Sequence, residues 1–159
     1  MATRDSWPTP AGCFGQPSWT PAAGRWTLGP TSFFAVFVEA PPALAAALSI
    51  QRKFLARSWP DGHQVRIRIG LHAGRPTLTE TGYVGIDVHT AVRVCSAGHG
   101  GQIVLSGEVR DALAGSEPAG VGFVDLGLHQ LQGLPKPIAL FQAEVDDLPS
   151  EFPPPRVRT

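Results

Sequence analysis

The stretch from Gly82 to Ser106, GYVGIDVHTAVRVCSAGHGGQIVLS, constrains what this chain can fold into more than any other part of it. Its apolar positions Val88, Ala91, Val92 and Cys95 step by three, one and three, the period of an amphipathic helix with Asp87 placed as its cap. Gly98, Gly100 and Gly101 stop that helix. The run Gln102 to Ser106 then reads as a short apolar strand, and Ser106 as the cap of a further short helix that ends at Gly115.

The flanking segments extend the pattern. SFFAVFV, from Ser32, is aromatic and branched and too short for a helix, so it predicts a buried strand. Pro41 and Pro42 then open a helix of about sixteen residues, where a missing N–H costs little, with Leu44, Ala47, Leu48, Gln51, Phe54 and Leu55 near one face. That helix ends by Trp59-Pro60. Gln64 to His72 alternates Val65, Ile67, Ile69 and Leu71 with Arg66, Arg68, Gly70 and His72, a half-buried strand. Val121–Gly133 and Pro137–Val145 read as a C-terminal hairpin.

Strands and helices in this order predict an α+β fold, an antiparallel or mixed sheet with helices on one face. A doubly wound nucleotide fold is disfavoured, because neither GxxxxGK[ST] nor GxGxxG occurs between a strand and a helix. Residues 1–31 differ in character, with three of the four tryptophans, five prolines and no apolar period, and read as an irregular segment. Within it, Arg25–Leu28 can pair with Ser32–Phe37 across Gly29-Pro30. The organisation is thus 1–31 irregular, 32–147 a folded domain, and 148–159 an extended Pro-rich tail.

Composition narrows the function. Thirteen basic and thirteen acidic residues cancel, so nothing favours electrostatic capture of nucleic acid or an anionic membrane, and a phosphate ligand would have to be held locally. No apolar run approaches the ~18 residues of a membrane span, and the first residues lack a signal-peptide core, which predicts a soluble, cytoplasmic chain. Cys13 and Cys95 match no metal or redox spacing, and Cys95 reads as a reduced thiol in a helix. His63, His72, His99 and His129 sit on different elements and read as surface or satisfied histidines. Ser96 and Ser106 form no nucleophile phrase, and Glu80, Asp87 and Glu108 are unpaired by spacing.

Four phrases in series, SFFAVF, VRIRIGLHAGRP, GYVGIDVHTAVRVCSAGHGGQIVLS and DLGLHQLQGLPKPIALFQ, resemble the catalytic domain of bacterial-type class III adenylate and guanylate cyclases. The resemblance covers about residues 32–155 and implies that family's ferredoxin-like fold and head-to-tail dimer. Each shared site then takes two metal-binding aspartates from one chain and an asparagine and arginine from the other. The reaction implied is attack of a ribose 3′-oxygen on the α-phosphate of a nucleoside triphosphate. Arg93 matches the arginine, and His89 stands for the asparagine four residues earlier, on the same helical face.

The metal side of the resemblance is incomplete. Thr31 stands where the second aspartate is expected, and no phrase like FTDIEGS supplies the first, so a central strand and both carboxylates are missing. A neutral hydroxyl does not replace an anionic oxygen on magnesium. Thr27 and Gly82 occupy the base-selecting positions. The resemblance therefore implies a degenerate, truncated cyclase domain, inactive alone, a remnant or a pseudoenzyme. It needs no cofactor of its own, has weak affinity for ATP, and takes magnesium or manganese only where a partner chain supplies the site. Its expected partners are a second copy or a complete class III cyclase. The rival reading is an active adenylate cyclase making cyclic AMP from ATP at an atypical metal site. The lost strand also predicts an unpaired sheet edge.

Overall fold

A strand that is apolar at consecutive positions cannot show one face to water; it needs cover on both faces and a partner at both edges. Ile103–Ser106 is such a strand, with all four residues buried, and the rest of the fold is arranged around it. The computed structural model describes residues 27–28, 32–80 and 82–157. Along the chain run β1 (Thr27–Leu28), β2 (Phe33–Phe34), α1 (Ala40–Ala56), β3 (Ile69–Leu71), β4 (Thr77–Thr79), β5 (Gly82–Val84), α2 (Ile86–Ala97), β6 (Ile103–Ser106), α3 (Gly107–Leu113), β7 (Gly122–His129) and β8 (Ile138–Glu144). The main sheet has the order β3-β6-β8-β7 and is mixed: β3 runs parallel to β6, while β8 is antiparallel to both its neighbours.

The expected α+β class and mixed sheet are present, but the helices do not share one face. Ile103 and Leu105 point to α1 and α3, where they pack with Leu44, Ala47, Leu48, Val109 and Leu113. Val104 points the opposite way and packs with Val94 and Ala97 of α2, with Leu131 and Leu134 of the β7–β8 connection, and with Leu140. The single helical layer gives way to two because β6 is apolar on both sides. Helix α1 begins at its two prolines as the sequence implies, and its buried Gln51 donates from Nε2 to the carbonyls of Ile67 at 2.9 Å and Gln102 at 3.3 Å.

Helix α2 is rotated from the face that the apolar spacing marks. Its buried residues are Thr90, Val94 and Ala97, while Val92 is 51% exposed. The cause is Gly70 on β3: a Cβ there would lie 2.3 Å from the backbone nitrogen of Cys95. Backbone packs on backbone at that point, so α2 turns its small residues and Val94 inward. Its N-cap is Gly85, not Asp87.

Strand β3 has three residues where alternation predicts nine, and it forms the sheet edge; among the described residues no strand lies beyond it. The expected hairpin before α1 is present as β1 and β2, paired Thr27↔Phe34 and Leu28↔Phe33 in a sheet of their own. Arg25, Trp26, Thr31 and the rest of residues 1–26 lie outside the described residues. β4 and β5 form a third small antiparallel sheet. The C-terminal hairpin β7–β8 forms with a register shift at Asp125/Gly127, where Gly127 takes φ 93°. Among the described residues no helix is long and apolar enough to cross a membrane.

Candidate functional site

The start of α2 is built by a turn and a polar knot. Gly85 takes φ 126°, a backbone region open to glycine and strained for other residues. In the first turn, Asp87 does not cap the helix. Its Oδ2 accepts the Arg75 N–H at 2.8 Å, and its Oδ1 lies 3.3 Å from Nε2 of His72. The 72–75 loop fits this closely because residue 74 is glycine: a Cβ there would stand 2.3 Å from Cγ of Asp87. A carboxylate so placed also suits the positive end of the helix.

His72 is the centre of the knot, its side chain only 5% exposed at the end of β3. Its Nδ1 is 2.9 Å from Oγ of Ser106 and 3.7 Å from Oε2 of Glu108. A ring protonated on Nε2 satisfies both bonds, donating to Asp87 while Nδ1 accepts the Ser106 hydroxyl. The connectivity Ser106–His72–Asp87 has the form of a nucleophile, base and orienter, yet Ser106 is fully buried, so no substrate reaches its oxygen. The trio is a fastening: it ties β3, the start of α2 and the β6–α3 junction together.

The reading of His72 as a satisfied histidine holds, but Asp87 and Glu108, unpaired by spacing, and Ser106, part of no nucleophile phrase, all converge on it. Ser106 lies at the N-terminus of α3 without capping it, because its hydroxyl is committed to His72. No local period could reveal partners 15 and 34 residues apart. The one available signal was a histidine ending a strand shortly before an acidic first helical turn.

On the outward side of α2, His89 is exposed and Arg93 half-buried, one helical turn apart. Neither side chain has a hydrogen-bond or ion-pair partner among the described residues. Ile86, 53% exposed, and Val92 leave apolar surface on the same helix. The pair therefore offers a guanidinium fork and an imidazole donor on a helix whose start is fixed by the His72 knot.

Thr31 lies outside the described residues, as does the side chain of Thr27. Gly82 is buried with φ 133°, so a side chain able to select a base would be strained there. Among the described residues no group of three His, Cys, Asp or Glu side chains, the His72 knot included, is arranged to hold a metal ion. Cys95 is free; burial pushes its thiol up, more than Arg68 and the Gly70 backbone pull it down, which keeps it protonated.

No protein-family model matches the chain. A 123-residue stretch is 42% identical to an uncharacterized protein of Mycobacterium tuberculosis, covering 77% of this chain and 41% of that protein. The chain thus spans about two fifths of the length of that relative. Among solved structures, an adenylate/guanylate cyclase/hydrolase from Silicibacter pomeroyi superposes with a TM-score of 0.67 at 28% identity, covering 78% of this chain and 73% of that one. An adenylate cyclase from Trypanosoma brucei, solved in its monomeric state, gives 0.69 at 20% identity over 80% of this chain and 73% of that one, a likeness of fold.

Proposed function

Because the chain carries a domain with the class III adenylate/guanylate cyclase fold, we propose that it is a degenerate partner domain. Silent by itself, it pairs with a complete cyclase in the cytoplasm and lends Arg93 and His89 to a nucleoside triphosphate whose metal ions that cyclase holds. Residues 32–147 form the pairing unit, flanked by 1–31 and the tail.

The observation that carries this reading is the pair on α2: a cation and an imidazole, one turn apart, outward-facing and unengaged among the described residues. In attack by a 3′-oxygen on an α-phosphate, negative charge develops on the phosphoryl oxygens and the leaving pyrophosphate. Arg93 can meet that charge with two parallel N–H bonds and His89 with one. The remaining chemistry needs carboxylates that hold magnesium. Threonine at position 31 supplies none.

The decisive experiment is complementation. A complete class III cyclase whose own transition-state arginine has been replaced is mixed with this chain, and cyclic nucleotide is measured. Restored activity is expected, falling again by ~10²–10³ when the added chain carries Arg93→Ala, the usual cost of one lost donor. Activity unmoved by the mixture would overturn the pairing. Turnover of ATP by this chain alone with magnesium or manganese would favour the rival reading, an adenylate cyclase with an atypical metal site.

A further inference from the structure

We propose that the outer edge of β3, with residues 66–68 leading into it, is a docking edge for an extended segment of a partner protein in which acidic and apolar side chains alternate. Backbone hydrogen bonds define which edge this is. The Ile69 N–H donates to the Gln102 carbonyl at 3.0 Å, and the Ile67 carbonyl accepts the Gly101 N–H at 2.6 Å, so residues 67 and 69 face β6. Backbone groups alternate in direction along an extended segment. Arg66, Arg68 and Gly70 therefore turn theirs the other way, where no strand lies among the described residues.

The Cys95 side chain stands in for a strand there. Its thiol donates to the Arg68 carbonyl at 3.6 Å, and its sulfur accepts the Gly70 N–H. Those are the two neighbouring groups that a single residue of an added strand takes with its own N–H and carbonyl. A thiol is a weak donor and a weak acceptor, so a backbone amide and carbonyl displace it with a gain in bonding.

The two faces of the edge set the chemistry of the occupant. On the α1 side Ile69 and Leu71 pack into the core, and the exposed Val65 shares a cleft with Trp59 and the exposed Leu55 of α1, so apolar side chains of an added strand gain cover there. On the α2 side stand Arg66 and Arg68, both exposed. Arg66 donates to the Gln64 side-chain oxygen at 3.2 Å, and neither arginine has an ion pair among the described residues. Arg57, its guanidinium 4.9 Å from the centre of the Trp59 ring, adds a cation at the same cleft. Asp61 is the only acid from residue 57 to residue 71, a local excess of positive charge in a chain whose charges cancel overall. Asp or Glu beside Arg66 and Arg68 on a neighbouring strand is therefore favoured, and Lys or Arg is opposed. A second copy paired edge to edge would set these arginines against their own equivalents, which argues for a different partner. This inference does not depend on the cyclase reading, since it uses neither His89 nor Arg93.

Amide hydrogen exchange on the whole ¹⁵N-labelled chain tests it, with a blocked peptide of alternating Val and Glu as the probe. At saturation the peptide is expected to slow exchange about tenfold at Arg66, Arg68 and Gly70, roughly the worth of one hydrogen bond each, while Ile69 and β8 change little. Added salt should weaken the effect. The double variant Arg66→Glu, Arg68→Glu is expected to bind this peptide at least about tenfold more weakly and to accept one of alternating Val and Lys instead, with the β6 and β8 amides as its folding control. No slowing, slowing shared equally by inward and outward amides, or equal binding of the Val and Lys peptide by the wild-type chain would overturn the proposal. So would edge amides already slow without peptide, in dilute solution or on concentration, because this chain's own residues or a second copy would then hold the edge.

Discussion

Strands β3 and β6 run side by side, parallel and in register from Ile69↔Ile103 to Leu71↔Leu105, yet they are opposite in environment. β6 is buried at every residue, packed on both faces and bonded at both edges, to β3 and β8. β3 has one bonded edge among the described residues, and its three residues are only half-buried. N-terminal to it the apolar alternation continues, but only isolated backbone bonds follow, such as Gly101 N–H to Ile67 O at 2.6 Å, and Val65 is 42% exposed. Alternation gives a strand its face; its length is set by neighbours that can carry the ladder on. β6 is four residues long, so β3 stops with it.

The largest effect should come from breaking the stronger side. Leu105 is completely buried between α1 and α3, and Leu105→Ala is expected to cost about 2–5 kcal/mol, the range for a cavity in a close-packed core. Val65→Ala, on the run that the alternation marks as strand, should cost less than about 0.5 kcal/mol, as exposed substitutions do. Urea unfolding of both variants measures the contrast. Equal costs would mean that residues 64–68 are as firmly built into the sheet as β6, and the comparison would fail.

A second variant probes what holds β3 to the fold at all. With backbone of α2 lying on Gly70, Gly70→Ala puts a methyl group where no flexible side chain can yield, and should destabilise by about 1–3 kcal/mol. It should also shift α2 bodily, which amide chemical shifts at His89 and Arg93 would register. A variant as stable as wild type would show that the helix is free to lift from the edge strand, making β3 weaker still.

The sequence made β6, α1 and the β7–β8 hairpin legible because each is decided by local pattern: an apolar run, a helical stripe behind two prolines, two strands around a break. The same is true of His89 and Arg93, whose shared face needs only the helical period. What was hidden depends on encounters across the fold. The rotation of α2 follows from a glycine on another element. The knot of His72, Asp87, Ser106 and Glu108 joins three elements, and the tail's docking rests on Ala97 and His99, more than fifty residues away. The two helical layers followed from β6 itself: an apolar residue at each consecutive position demands cover on both sides.

The smallest effect lies where burial is least, and it sharpens the comparison by removing packing from it. Arg52 of α1 holds Asp147, just beyond β8, through two guanidinium hydrogen bonds, with side chains 48% and 56% exposed. Those hydrogen bonds keep the Asp147 carboxyl below its ordinary value of 3.8. A carboxyl depressed by folding adds stability that is present above its unfolded value and lost as pH falls through the folded one. Arg52→Ala should therefore lower the melting temperature slightly near neutral pH and not at all in strong acid, so the gap between the two conditions narrows. Glu117, also held low by its own backbone N–H and Arg110, acts in the same direction, but it is intact in both proteins and cancels in the difference. Because water screens an exposed pair, the change should be far smaller than that of Leu105→Ala. A comparable loss would mean that the ion pair, and not the two-sided burial of β6, fixes α1 to the sheet.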